Sequence, residues 1–418
     1  MGNFKIDNHM KRTSFLSVGL CTVTLFLLFA TAGFGQSIIV ENRLVEEVSH
    51  YTVEIPVEKF SLAYGGYMVV GEDGEELPLE IVADIHGNRK AIFPVDCLPG
   101  NSKKVFQVKE GSADRYPKRA YAELAHKIGG EFAGPKYEGG YSWVKPNRLT
   151  VNGAFRDHAY YIKYEGPGWE SDMVGFRFYL DQRNAVDVFG KKTPGIILPF
   201  VGVDGYDSYH EMADWGMDNM KVGNTLGLGS IAIWNGTKAV RVEKRDSVGC
   251  YIPADGKVRA QVMTIYYGWD ANGVKCNLES LISIDAGNRA SHMELKADRP
   301  VDNITTGIIK SKDAKLILPA EENNSKTHWS YIATFGKQSL NNDMMGLAVF
   351  YRNDQLKEIT EDALNHLVVL SPQNGYVEYY FMPTWELDWQ PVKDEAAFRK
   401  CLDDMLRKLN HSVLVIIK

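Results

Sequence analysis

Cysteine is scarce in this chain, with five in 418 residues, and no pair or cluster has the spacing of a zinc module. One of them, Cys21, lies in an N-terminal apolar run. The remaining Cys97, Cys250, Cys276 and Cys401 allow at most two disulfides, and buried free thiols are the expected state. A basic surplus is also missing, since the formal net charge is −6. This argues against nucleic acid as a partner, because phosphates demand a basic face. It leaves room for an anionic small substrate, which a local Arg/Lys cluster can hold in an acidic protein. The chain has no Gly-x-Ser-x-Gly, no phosphate-cradling loop and no Cys/His cluster, so serine-hydrolase, nucleotide-dependent and zinc-finger readings fall away. Repeats with a period of 20 to 50 residues are absent as well.

The single long apolar run, Val18 to Ala30, follows Lys11 and Arg12 and precedes the small residues Gly33 and Gly35. That is the layout of a secretory signal peptide spanning residues 1–35, with cleavage expected before Gln36. The run is short and no stop-transfer pattern follows, so no membrane span is expected. Leu20 before Cys21 speaks against a lipid anchor. The expected location is the periplasm or the exterior. Losing Lys5, Lys11, Arg12 and Asp7 makes the mature chain more acidic by two charges.

The mature length exceeds one comfortable core, so two domains, or one very large sheet assembly, are expected. Residues 36–111 alternate apolar and polar, with turns at Glu72-Asp73-Gly74 and Pro99-Gly100, and read as a small β-sandwich. After the polar segment Ser112 to Lys118, residues 119–392 continue in long aromatic-rich strands. The expected fold is mainly β, a large antiparallel supersandwich of the mutarotase-like kind with few helices. In residues 393–418, Phe398, Cys401, Leu402, Met405, Leu406 and Leu409 form the stripe of an amphipathic helix, expected with the following strand to pack on the large sandwich.

Chemistry concentrates in YHEMADWGMDNMKVGNTLGLG, Tyr209 to Gly229. If its start is helical, His210, Asp214, Asp218 and Lys221 share one face. His210 is then a candidate general acid or base beside a carboxylate such as Asp214. A metal on His210, Asp214 and Asp218 is the alternative, although no accepted metal signature is met. A structural His beside an ordinary ion pair is the plainest account. The closing NTLGLG suits turns or close backbone approach. In VGFRFYLDQRN, Arg177, Tyr179 and Asp181 face opposite to Phe176, Phe178 and Leu180. Alternation alone favours a solvated face over a polar cleft. A preceding strand, FRDHAYYIKYEGPGWE, offers His158 and Tyr161, and YYGWD offers Trp269. Such aromatics suit sugar stacking or ordinary cross-strand packing. Lys191 and Lys192 read as solvated.

The wording of RFYLDQRNAVDVFGKKTP (Arg177 to Pro194) with YHEMADWGMDNMKVGNTLGLGS (Tyr209 to Ser230) resembles a family of exported bacterial polysaccharide-utilisation proteins, long described only as a domain of unknown function. The resemblance covers nearly all of the mature chain. It implies an oligosaccharide dehydratase of ulvan breakdown, which removes water from a non-reducing-end glucuronic or iduronic acid and leaves a 4,5-unsaturated uronyl end. That chemistry asks for a base at C5, His210 or Tyr209, and an acid for the leaving hydroxyl, Tyr179 or Asp214. It also asks for a carboxylate neutraliser, which Arg177, Arg183 or Lys221 would supply. His158, Tyr161, Trp215 and Trp269 complete the expected substrate contacts. No cofactor is expected, with a divalent metal as the one variation. The competing classes are a polysaccharide lyase, a glycoside hydrolase or epimerase, and a non-catalytic glycan-binding protein.

Overall fold

The computed structural model describes residues 36–418 apart from 61–64, 141, 157, 206–207, 320–324 and 326–327, so the leader reading of residues 1–35 lies outside the described residues. The protein is mainly β, with one α-helix, Glu395–Asn410, among the described residues. Strands Ser37–Asn42 to Ser102–Glu110 form an antiparallel sheet that folds over on itself. The turn-over happens within Glu76–Ala83, whose first half pairs with Tyr67–Gly71 and whose second half pairs with Arg89–Leu98. Val40, Val53, Val69, Phe93 and Phe106 fill the space enclosed.

The larger part has two layers. One is a nine-stranded antiparallel sheet running in space from Arg148–Asn152 through the long hairpin Arg259–Ala271 and Val274–Asp285 to Ala314–Ile317. The other consists of two five-stranded sheets. The first carries Ala120–Glu123, Gly168–Ser171, Gly175–Phe178, Val186–Lys191 and Gly216–Asp218, and the second has Ile304–Ile309 at its centre. A single apolar core lies between the layers, with Trp169, Phe176 and Phe178 meeting Leu278, Met293 and Phe381. The NTLGLG segment joins the two smaller sheets, since Gly227 bridges to Val186 and Leu228 to Ile308. Gly227 has φ +57°, and a Cβ there would lie 2.2 Å from the Val186 carbonyl oxygen, so the close approach requires glycine.

The structure corrects several expectations. Tyr209 to Gly229 does not open as an α-helix; it is a one-turn 3₁₀ segment, Ser208–His210, followed by a loop and the strand Gly216–Asp218. Residues around His158 to Glu165 are not a strand but an irregular wall ending in the 3₁₀ turn Lys163–Glu165. The C-terminal helix does pack on the large sheet, through Phe398, Leu402 and Leu406 against Phe335, Phe350 and Met382. The last strand, Leu414–Ile417, does not; it pairs with Ser37–Asn42, because that strand had an open edge in the small sheet. All four described cysteines are free thiols, and Cys250 and Cys276 are buried.

Candidate functional site

Three neighbouring strands of the first five-stranded sheet build the site on their outer face. Phe176, Val186 and Val188 point into the core, so alternation turns Arg177 and Asp187 the other way. Register sets Arg177 opposite Asp187, and Phe189 opposite Asp218. Arg177 Nη2 donates to Asp218 Oδ2 at 2.6 Å, Asp187 Oδ2 at 2.9 Å and the Tyr179 hydroxyl at 3.0 Å. Its Nη1 donates to the Tyr209 hydroxyl at 2.8 Å. The Tyr179 hydroxyl in turn donates to Asp187 at 2.7 Å. Arg177 is 1% exposed, Asp187 1% and Asp218 0%, so the expected solvated face is a sealed polar floor. Chain packing, which alternation does not encode, decides this: the 158–165 wall, residues 196–201 and Tyr209 lie over the strand.

His210 sits where this floor meets solvent. Its side chain is 39% exposed, and Nε2 lies 3.2 Å from Asp218 Oδ2. The hydrogen bond that the imidazole donates to Asp218, and the charge of that carboxylate, hold His210 above its usual pKa against partial burial. The two carboxyl groups hydrogen-bond each other and divide their roles. Burial, then the charge of Asp218, pushes Asp187 up to about 7. Despite burial, Arg177 and His210 hold Asp218 below the ordinary carboxylate range. The pair therefore retains one proton near neutrality.

A second buried network supports the floor. Glu123 accepts from Lys163 at 2.7 Å, Tyr164 at 2.6 Å and Tyr121 at 2.7 Å. Tyr164 passes its carbonyl to Arg177, and its ring packs on Phe189, which packs on Tyr209. The wall is held in left-handed backbone, with φ of 53° at His158, 54° at Tyr160, 36° at Tyr164 and 68° at Glu165. Such conformations cost energy in non-glycine residues and cluster where geometry serves a site.

The expected residues divide clearly. Arg177, Tyr179, Tyr209 and His210 come together. Arg183 stacks over Tyr179 with its guanidinium 3.7 Å from the ring centroid and is tied to Asp181 and Glu165. Trp215 packs on Phe189 beside the site. His158 donates its backbone N–H to Glu165, and its ring lies beside Tyr160. Tyr161 joins Tyr137, Phe132 and His126 in an aromatic cluster.

The readings of five residues are corrected. Asp214 and Lys221 are exposed and make no ion pair among the described residues, because the segment is not helical and the supposed shared face does not exist. Trp269 is 0% exposed in the core between the layers and cannot meet a substrate. Arg177 is spent on internal carboxylates and is not available to a substrate. Lys191, read as solvated, is sealed against Glu170 at 2.7 Å. Among the described residues no three His, Cys, Asp or Glu side chains converge as metal ligands, so the set of His210, Asp214 and Asp218 does not form.

Sequence reasoning missed Asp187, Glu123 and Glu165. Asp187 had a signal, a lone carboxylate within the apolar strand VDVFG. Glu123 and Glu165 had none, since their partners lie far along the chain or across the wall.

The family described as Domain of unknown function (DUF4861) matches residues 40–415. "Uncharacterized protein P7" of Formosa agariphila is 24% identical over 269 residues, which is 60% of this chain and 66% of that protein. Among solved structures, a protein in the glycosyl hydrolase family 38 from Enterococcus faecalis has a TM-score of 0.42 at 7% identity, covering 93% of this chain and 48% of that one. An alpha-mannosidase from Enterococcus faecalis has a TM-score of 0.44 at 8% identity, covering 92% and 46%. The chain thus spans about half the length of either solved structure.

Proposed function

For this chain, which belongs to the family described as a domain of unknown function (DUF4861), we propose a carbohydrate-active hydro-lyase. It acts as an exported enzyme on the non-reducing-end uronic acid of ulvan-type oligosaccharides, taking the C5 proton and expelling the 4-hydroxyl as water. The observation that carries the reading is the half-exposed His210 with its Nε2 against buried Asp218. A neutral imidazole in that position accepts the C5 proton, and Asp218 stabilises the imidazolium that forms. The C5–H and C4–O bonds break, the C4–C5 double bond forms, and the same imidazolium returns its proton to the departing hydroxyl. Proton and hydroxide leave as one water, so the ring is reset.

Tyr179 is not the acid in this scheme, because its proton is committed to Asp187. Tyr209, held by Arg177, fixes the floor beneath His210. The substrate carboxylate needs a cation, and Lys192 is the one next to the loop that follows His210. Its backbone donates to the Trp215 carbonyl, its ammonium rests on the Ala213 carbonyl, and it makes no ion pair among the described residues. Aromatic residues Phe132, Tyr137 and Tyr161 offer ring faces to neighbouring sugars.

A glycoside hydrolase reading fits less well. Hydrolytic carboxylates stand roughly 5 to 10 Å apart with access to the sugar, whereas Asp187 and Asp218 touch and are buried. Mass spectrometry of short uronate-terminated oligosaccharides after incubation tests the proposal. Loss of one water with no change in chain length is expected, and His210→Ala abolishes it while the protein still folds. Shortened chains with an unsaturated end indicate a polysaccharide lyase, hydrolysed products indicate a hydrolase, and unchanged masses with retained binding indicate a glycan-binding protein.

A further inference from the structure

The outer face of the nine-stranded sheet, on the far side of the sandwich from His210, carries a second polar constellation. Register aligns Ser283, His292 and Tyr380 in one cross-strand row, and Leu281, Glu294 and Glu378 in the next. Their chain neighbours Ile282, Met293, Leu295 and Phe381 fill the core, so these side chains face outward. The small N-terminal sandwich covers them. Between the two lies a cavity of about 370 Å³, lined from the small sandwich by Glu54, Asp84, His86 and Lys90. A face between two packed sheets ordinarily buries apolar groups.

Glu294 marks the cavity as more than a packing gap. It is 7% exposed, lines the cavity, and stands directly opposite Glu378. Like charges in that position destabilise a sheet. Glu378 is matched, by His292 at 3.0 Å and Arg352 at 3.0 Å. Glu294 accepts a hydrogen bond from the Ile85 backbone and meets no Lys or Arg within ion-pair distance among the described residues. Burial pushes its carboxyl upward, which favours the neutral acid.

The other charges are already paired. Lys90 and Arg259 both hold Glu54, at 2.7 Å and 2.6 Å, and Arg259 also holds Asp285. Asp84 caps a turn through the N–H groups of His86 and Asn88. Among the described residues lining the cavity, no Lys or Arg is left over for an anionic ligand. The walls add flat rings, with Tyr376 against His86 and Tyr380 stacked on His292. Hydroxyls need donors and acceptors without net charge, and sugar C–H faces need such rings.

We propose that this cavity is a second binding site, for a neutral sugar ring, whose hydroxyls hydrogen-bond to Glu294 and Glu378 between Tyr376 and Tyr380. It is separate from the reaction proposed at His210 and stands whether or not that reaction is correct.

The test is calorimetric titration, with saturation-transfer NMR, of the mature chain against rhamnose, xylose and glucose, using glucuronate as the charged control. At least one neutral sugar is expected to bind. Glu294→Leu weakens it by about tenfold, the loss of one hydrogen bond to a largely buried carboxyl group. Tyr376→Leu weakens it too and serves if Glu294→Leu fails to fold, while His210→Ala leaves it unchanged. The proposal is overturned if no neutral sugar binds, if binding survives the substitutions in folded protein, or if glucuronate binds better and His210→Ala abolishes binding.

Discussion

Arg177 donates to three carboxylates, those of Asp187, Asp218 and Glu165, and to two phenol oxygens, yet its Nε has no partner among the described residues. Its worth lies in neutralising Asp187 and Asp218 where water cannot. Arg177→Met leaves those groups buried without a cation and should cost about 3–5 kcal/mol, read as a fall in the urea midpoint. The same residues set the pH behaviour. The folded state keeps the Asp187 proton up to about pH 7, whereas an unfolded chain releases it near pH ~4. Native stability from this group therefore declines as pH rises between those limits. His210 acts in the same direction, since its raised pKa gives stability that is complete below its ordinary value and lost as pH passes the raised one. Asp218 opposes them, losing its contribution on acidification through its lowered pKa. Asp187→Asn should flatten the decline between about pH 4 and pH 7 in a stability–pH series. In the proposed elimination His210 must be neutral to accept the C5 proton, so the acid limb of kcat/KM should lie above the usual histidine value. The types of Arg177, Tyr179, Tyr209 and His210 and their clustering were legible in the sequence. Whether Arg177 faced solvent or an interior was not, because alternation gives the face and not what covers it.

The clearest contrast among elements is between two segments read as helical. Glu395–Asn410 forms as its apolar stripe predicts, and the Asp394 side chain accepts from the Ala397 N–H to cap it. Asp394→Ala should lower stability by about 1 kcal/mol, measurable as a modest drop in Tm with unchanged secondary structure. The Tyr209 segment carries helical spacing too, but strand pairing overrides it. Lys191 pairs with Gly216 and Phe189 with Asp218, and Gly216 has φ +134°, which breaks a helix. Long-range pairing of this kind is invisible to local periodicity. It nonetheless achieves what the helix was expected to do, bringing His210 to an aspartate, though to Asp218 and not to Asp214.

Over the whole molecule, the two ends of the described chain meet, with Leu414–Ile417 closing the edge of Ser37–Asn42. Removing residues 412–418 should expose that edge and promote association through unpaired backbone, seen as aggregation or a larger species in size-exclusion chromatography, while the elimination proposed at His210 persists in the soluble fraction. The mainly β character and the covering helix were determined by the sequence itself, because side-chain period and turn residues are local properties. Tertiary structure alone decided which carboxylates face Arg177, that Trp269 is core, where the last strand pairs, and that Glu294 borders a cavity. Each of these depends on contacts between residues tens to hundreds of positions apart, and one chain's local pattern carries no record of which distant strand will lie beside it.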